Sequence, residues 1–203
     1  METFNYEFWE PLSLEEVVAL FSGASFSWGF AGGYAIELFA EKTIRAHSDI
    51  DVLILRPEQL AAQKHLSDWQ LYWATRPGLK LWDKGFYIPK GYHDIWCRRH
   101  AKAPWQLQIM LMEVEDDSWV FRRNPDIRGP LKEMFLKNQE GIPFLRPEIQ
   151  LLYKAKTELR VKDQIDFDAS LPLLNESAKS WLLSCLKLQF PQGHIWIEAI
   201  EQY

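Results

Sequence analysis

Cysteine is scarce in this chain. Cys97 and Cys185 are its only two in 203 residues, too few for a disulfide framework, so the fold must rest on an apolar core and a reducing compartment is expected. No apolar run approaches the roughly 20 residues of a membrane-spanning helix. The opening stretch Met1-Glu2-Thr3-Phe4-Asn5-Tyr6-Glu7 has neither the basic nor the apolar region of a signal peptide. No membrane and a cytoplasmic setting are therefore expected. Positive charge is also in deficit, the formal net charge being −5. That balance argues against nucleic acid as a partner, since clustered cations must supply phosphate affinity. Arg98-Arg99-His100 and Arg122-Arg123 are short clusters separated by acidic residues, better suited to one triphosphate than to a polymer. Internal repeats and low-complexity tracts are missing too, which removes the basis for a scaffold reading.

Apolar material is ample. Hydrophobic residues make up 47% and charged residues 25%, a balance that supports a folded globular chain rather than a disordered one. Ten tryptophans are many for this length. They suit either large core side chains or a groove that stacks rings, and core packing is the commoner use.

Two stretches carry the chemistry. Phe30-Ala31-Gly32-Gly33-Tyr34 reads as a buried strand end, a glycine turn and the start of a helix. Glycine lets the backbone approach an anion closely, and a helix N-terminus offers free N–H groups. His47-Ser48-Asp49-Ile50-Asp51-Val52-Leu53-Ile54-Leu55 alternates as a strand does, placing Ile50, Val52 and Ile54 on one face and Asp49 and Asp51 on the other. Carboxylates at i and i+2 are about 6–7 Å apart along a strand, so they repel unless a cation or water serves both. Mg²⁺, which takes one or two carboxylates together with water and phosphate oxygens, suits such a pair.

Gly32-Gly33 followed by Asp49-Ile50-Asp51 resembles the signature of the polymerase-β-like nucleotidyltransferase superfamily. The wider strings Trp28-Gly29-Phe30-Ala31-Gly32-Gly33-Tyr34-Ala35 and Arg45-Ala46-His47-Ser48-Asp49-Ile50-Asp51 resemble its aminoglycoside adenylyltransferase-like branch. The resemblance implies that Gly32 and Gly33 hold a nucleoside triphosphate and that Asp49 and Asp51 bind Mg²⁺. It also implies a third acidic residue on a later strand, as metal ligand or base. The strand Trp105 to Val114 is the place to look, and its mid-strand position is Gln108, an amide that takes no proton at neutral pH. Glu113 is acidic but five residues later, on the opposite face unless a bulge intervenes. Glu113 is the candidate base. Arg45, in the connection before the aspartates, and Lys154, on a later helix, are candidates for the triphosphate.

Elsewhere Ser13 starts a helix, Glu58 to Leu66 forms another, and Gln70 to Ala74 reads as a strand before a Pro77-Gly78 turn. His93-Asp94-Ile95-Trp96 is either the beginning of a strand or part of an acceptor pocket. Asn124-Pro125 and Gly141-Ile142-Pro143 break the pattern, after which Pro147 to Lys156, Lys162 to Phe167, Glu176 to Leu188 and Trp196 to Ile200 read as helices. A surface pair Lys162–Asp166 is expected on the second of these. The expected fold is α/β of the α+β kind: a small twisted mixed sheet flanked by helices over residues 1–130, followed by a helical C-terminal region over 131–203. The expected activity is Mg²⁺-dependent transfer of a nucleoside monophosphate from a nucleoside triphosphate, ATP foremost, to a hydroxyl of a small, aminoglycoside-like molecule. An inactive nucleotide-binding or interaction domain, and a transferase acting on a protein hydroxyl, are the alternatives.

Overall fold

The computed structural model describes residues 4–76 and 78–203. Met1–Thr3, at the head of the segment read for a signal peptide, and Pro77, half of the expected Pro77-Gly78 turn, lie outside the described residues. In chain order the elements are α1 (Leu14–Leu20), β1 (Trp28–Phe30), α2 (Gly32–Ala40), β2 (Asp51–Leu55), α3 (Gln59–His65), β3 (Gln70–Ala74), β4 (Leu79–Leu81), β5 (Asp94–Arg98), β6 (Leu107–Glu115), β7 (Ser118–Val120), β8 (Arg128–Pro130), β9 (Phe135–Lys137), β10 (Pro143–Leu145), α4 (Pro147–Lys154), α5 (Val161–Ser170), α6 (Glu176–Gln189) and α7 (Ile195–Glu201). The fold is mixed α/β, as the alternation of strand and helix patterns implied.

The elements gather into two compact units. One comprises the residues up to Phe30 with Ala46–Val114; the other comprises Ala31–Arg45 with Glu115–Tyr203. The linear division at residue 130 read from the sequence is drawn differently here. The Asn124-Pro125 break falls inside the second unit, and α2 joins that unit because it packs on α4, α5 and β10. Those partners lie more than a hundred residues downstream, where local composition gives no sign of them.

In the first unit six strands run β4-β3-β5-β6-β2-β1. β2 and β6 are parallel and the other neighbours antiparallel, giving a mixed sheet. One face is apolar across the central strands: Val52 and Ile54, Ile109, Ile95 and Cys97 are all buried, as period-two alternation requires. Ser13 opens α1 with a capping box, its hydroxyl accepting the Glu16 N–H while the Glu16 carboxylate accepts the Ser13 N–H. Much of the tryptophan is core. Trp69, Trp73, Trp82 and Trp105 are buried here, as are Trp119 and Trp196 in the second unit.

The second unit is largely helical, but it also holds the β7-β8 and β9-β10 pairs, both antiparallel. The β9-β10 hairpin occupies the stretch that glycine and proline obscured. α4 packs against α2, α5 and α6, and α6 against α7. Phe167 of α5 stacks on Trp196 of α7 with ring centroids 4.3 Å apart. Among the described residues no helix is long and apolar enough to cross a membrane. Both cysteines are free and buried.

Candidate active site

Asp51 opens β2 and Asp49 lies two residues before it. Ile50 between them is fully buried, and the Gln108 N–H donates to its carbonyl at 2.9 Å. The strand alternation therefore reaches back to Asp49. Both aspartates are half-buried on the face opposite Ile50 and Val52. On that face Asp51 is in register with Gln108 of β6, and Gln108 with Trp96 of β5. Two residues before Trp96, on the same face, stands Asp94, and Gln108 Nε2 donates to its Oδ1 at 3.2 Å. Three neighbouring strands thus present Asp51, Gln108 and, two residues further along, Asp94 on one face. The carboxylate donors of Asp49 and Asp51 are all oxygen, and among the described residues no group of three or more His, Cys, Asp or Glu side chains is placed to hold a metal ion. A pair of strand carboxylates without a cage fits Mg²⁺, which keeps waters and substrate phosphates as its remaining ligands.

Glu113 occupies a different environment. The β2–β6 register runs without interruption from Asp51↔Gln108 to Leu55↔Met112. No bulge turns Glu113 towards the face of Gln108. Its Oε1 accepts from Arg56 Nε at 2.7 Å. Arg56 is 4% exposed and also donates to the carbonyls of Ile88, Pro89 and Tyr92. Glu113 is the counter-charge of a buried guanidinium that pins the irregular segment before β5.

The other candidates lie in the second unit. Gly32 has φ 65°, a left-handed conformation that glycine adopts without cost. Ala31 at the N-cap of α2 has no side-chain oxygen to offer. Gln150 of α4, itself buried, takes that role: its Oε1 accepts the Gly32 N–H at 2.8 Å. Gly33 is buried in the first turn. After α2, Glu37 Oε1 accepts the N–H groups of Ile44 and Arg45 at 2.7 and 3.1 Å and folds the connection back.

Arg45 and Lys154 converge on one carboxylate. Arg45 grips Asp166 with Nε at 2.9 Å and Nη2 at 3.0 Å, while Lys154 Nζ lies 2.7 Å from Asp166 Oδ2. Asp166, expected to pair with Lys162 on the surface, is 1% exposed and serves these two cations instead. Asp163, fully buried, binds Arg160 through both oxygens and lies 3.8 Å from Lys154. Burial works to raise the Asp163 pKa, but the Arg160 hydrogen bonds and charge, with Lys154 and Lys156, outweigh it and hold the carboxyl below its ordinary range. Burial, and then Arg160, push Lys156 down. Four cations, Arg45, Lys154, Lys156 and Arg160, against two carboxylates leave this cluster positive. Two cavities of the second unit, of about 140 and 370 Å³, are lined by neither the glycines nor these cations.

In the sequence Asp94 stands out only within a stretch that begins a strand or belongs to an acceptor pocket, Asp166 only as a surface partner for Lys162, and nothing local marks Gln150 or Asp163 for the contacts they make. Each matters through a partner remote in sequence.

No family model and no curated protein matches the chain. Solved structures do. The lincosamide antibiotic adenylyltransferase LnuA, lincomycin-bound, superposes with a TM-score of 0.54 at 19% identity, covering 79% of this chain and 97% of that one. The antibiotic-resistance factor ANT(2'')-Ia gives 0.57 at 10% identity over 88% and 91%. An antigenic nucleotidyltransferase-like protein from Paracoccidioides brasiliensis gives 0.51 at 14% over 95% of both chains. The chain has a nucleotidyltransferase fold. Within this fold the Gly32-Gly33 turn heads α2 and the Asp49–Asp51 pair heads β2. At such identities the likeness is one of fold, and an activity has to be argued from the residues themselves.

Proposed function

We propose that the chain is a nucleotidyltransferase that moves a nucleoside monophosphate from a nucleoside triphosphate, ATP foremost, to a hydroxyl of a small molecule, with release of pyrophosphate. The observation that carries this reading is the pair Asp49 and Asp51, turned to one open polar face by the buried Ile50 between them. Asp49 and Asp51 would hold Mg²⁺, which supplies charge neutralisation at the phosphate oxygens and lowers the barrier to attack at phosphorus. The turn at Gly32 and Gly33 offers backbone N–H groups and a helix N-terminus to phosphate. For Gly32 this requires the triphosphate to replace Gln150 as acceptor of its N–H. Arg45 and Lys154, fixed by Asp166, supply positive potential to the polyphosphate rather than loose point charges.

The acceptor we infer is a cationic polyol of the aminoglycoside kind. ANT(2'')-Ia has been solved with adenylyl-2''-tobramycin, and the half-buried carboxylates of the polar face suit ammonium groups. A second reading, nucleotide binding without turnover, draws on Gln108, which stands beside Asp51 where a third carboxylate was expected.

The experiment is Mg²⁺-dependent pyrophosphate release from each of four nucleoside triphosphates with a panel of aminoglycosides, comparing wild type with the Asp49→Asn/Asp51→Asn double variant. Release that the double variant abolishes supports transfer. Nucleotide binding without release from any acceptor supports the second reading, and absence of binding removes both.

A further inference from the structure

We propose that Asp94 is the general base of the transfer, held in position by Gln108. The inference rests on the nucleotidyltransfer reading and assigns the role that Gln108, as an amide, cannot fill. Gln108 donates Nε2–H to Asp94 Oδ1 at 3.2 Å, so the amide orients the carboxylate, and among the described residues no hydrogen bond occupies Oδ2. Asp94 is half-buried on the face that carries Asp51. Trp96, two residues on and on the same face, stands edge-to-face with Trp9 at 4.9 Å and lends an apolar wall to one side.

Spacing decides between base and metal ligand. Asp94 is two strands from Asp51 and two residues further along, since it is opposite Met110, which is opposite Leu53. With about 4.8 Å between strands and 3.3 Å per residue, the two Cα atoms are roughly 12 Å apart. That is too far for the two to share one small cation as direct ligands, yet it leaves room between them for a phosphoryl group and an attacking hydroxyl. Glu113, the other acid on β6, faces away and neutralises Arg56.

The acceptor hydroxyl oxygen forms a bond to the α-phosphorus, the bond from that phosphorus to the bridging oxygen breaks, and pyrophosphate leaves with the electron pair. The hydroxyl proton passes to Asp94 Oδ2 and returns to solvent after the product departs.

The test uses the full chain with Mg²⁺, the preferred nucleoside triphosphate and the best aminoglycoside acceptor. Asp94→Asn keeps a side-chain oxygen for the Gln108 hydrogen bond and removes only the proton acceptor. A positioned base contributes roughly 10²–10⁴-fold, so kcat should fall at least about 100-fold with the acceptor KM within a few-fold and the thermal midpoint unchanged. The acid limb of the pH–rate profile should vanish in Asp94→Asn and return in part in Asp94→Glu. An unchanged kcat, or a raised acceptor KM alone, overturns the assignment while leaving the transfer standing. No pyrophosphate release by the wild type under any condition overturns the transfer, and the role of Asp94 with it.

Discussion

The side-chain oxygen of Gln150 accepts the backbone N–H of Gly32 at 2.8 Å, across 118 positions of sequence. It caps a helix whose own N-cap residue, Ala31, has nothing to cap it with. One helix thereby fixes the glycine turn of another.

Replacing Gln150 with Ala should orphan that N–H. Loss of a side-chain cap costs about 0.5–2 kcal/mol, a loss that urea unfolding at neutral pH should register. If triphosphate takes the same N–H, bound nucleotide restores part of the deficit. The nucleotide-induced rise in thermal midpoint should then be larger in Gln150→Ala than in wild type; an equal or smaller rise would count against phosphate at Gly32.

Glu113→Gln removes the counter-charge of Arg56, a residue only 4% exposed. Breaking a buried ion pair from one side typically costs about 3–5 kcal/mol. We expect a large drop in the denaturant midpoint, with kcat per folded molecule little changed. A stable variant with lost turnover would instead make Glu113 the base.

His194 caps α7 in its neutral form: Nδ1 accepts the Trp196 N–H at 3.2 Å and Nε2–H donates to the Lys156 carbonyl at 3.1 Å. Burial lowers its pKa below the ordinary 6.5, against the opposing hydrogen bond to Lys156. A proton on Nδ1 would also cost the cap. With the folded value depressed, the contribution is complete above about pH 6.5 and is lost as pH falls through the folded-state value. Urea midpoints between pH 8 and pH 5 should decline more steeply in wild type than in His194→Asn, where the amide can still cap. Parallel declines would remove His194 as their cause.

The aspartate pair was legible because strand alternation is local: Ile50 and Val52 turn inward, so Asp49 and Asp51 turn outward whatever the rest of the chain does. Capping at Ser13 was legible for the same reason. The long amphipathic helix Glu176–Gln189 and the short one at Ile195–Glu201 followed from their apolar spacing. The packing partners of α2 were not legible, because it takes its neighbours from α4 and α5 rather than from the sequence beside it.

By itself the sequence determined a mixed α/β chain with a glycine turn and two carboxylates on one face of a strand. Both follow from glycine's backbone freedom and the two-residue period of β structure, which act within a few residues. Tertiary structure alone decided which groups those features meet. Gln108 reaches Asp94 across 14 positions, Gln150 reaches Gly32 across 118, and Arg45 reaches Asp166 across 121. Such pairings depend on which buried faces stack against each other, and neighbouring residues in the sequence do not encode that.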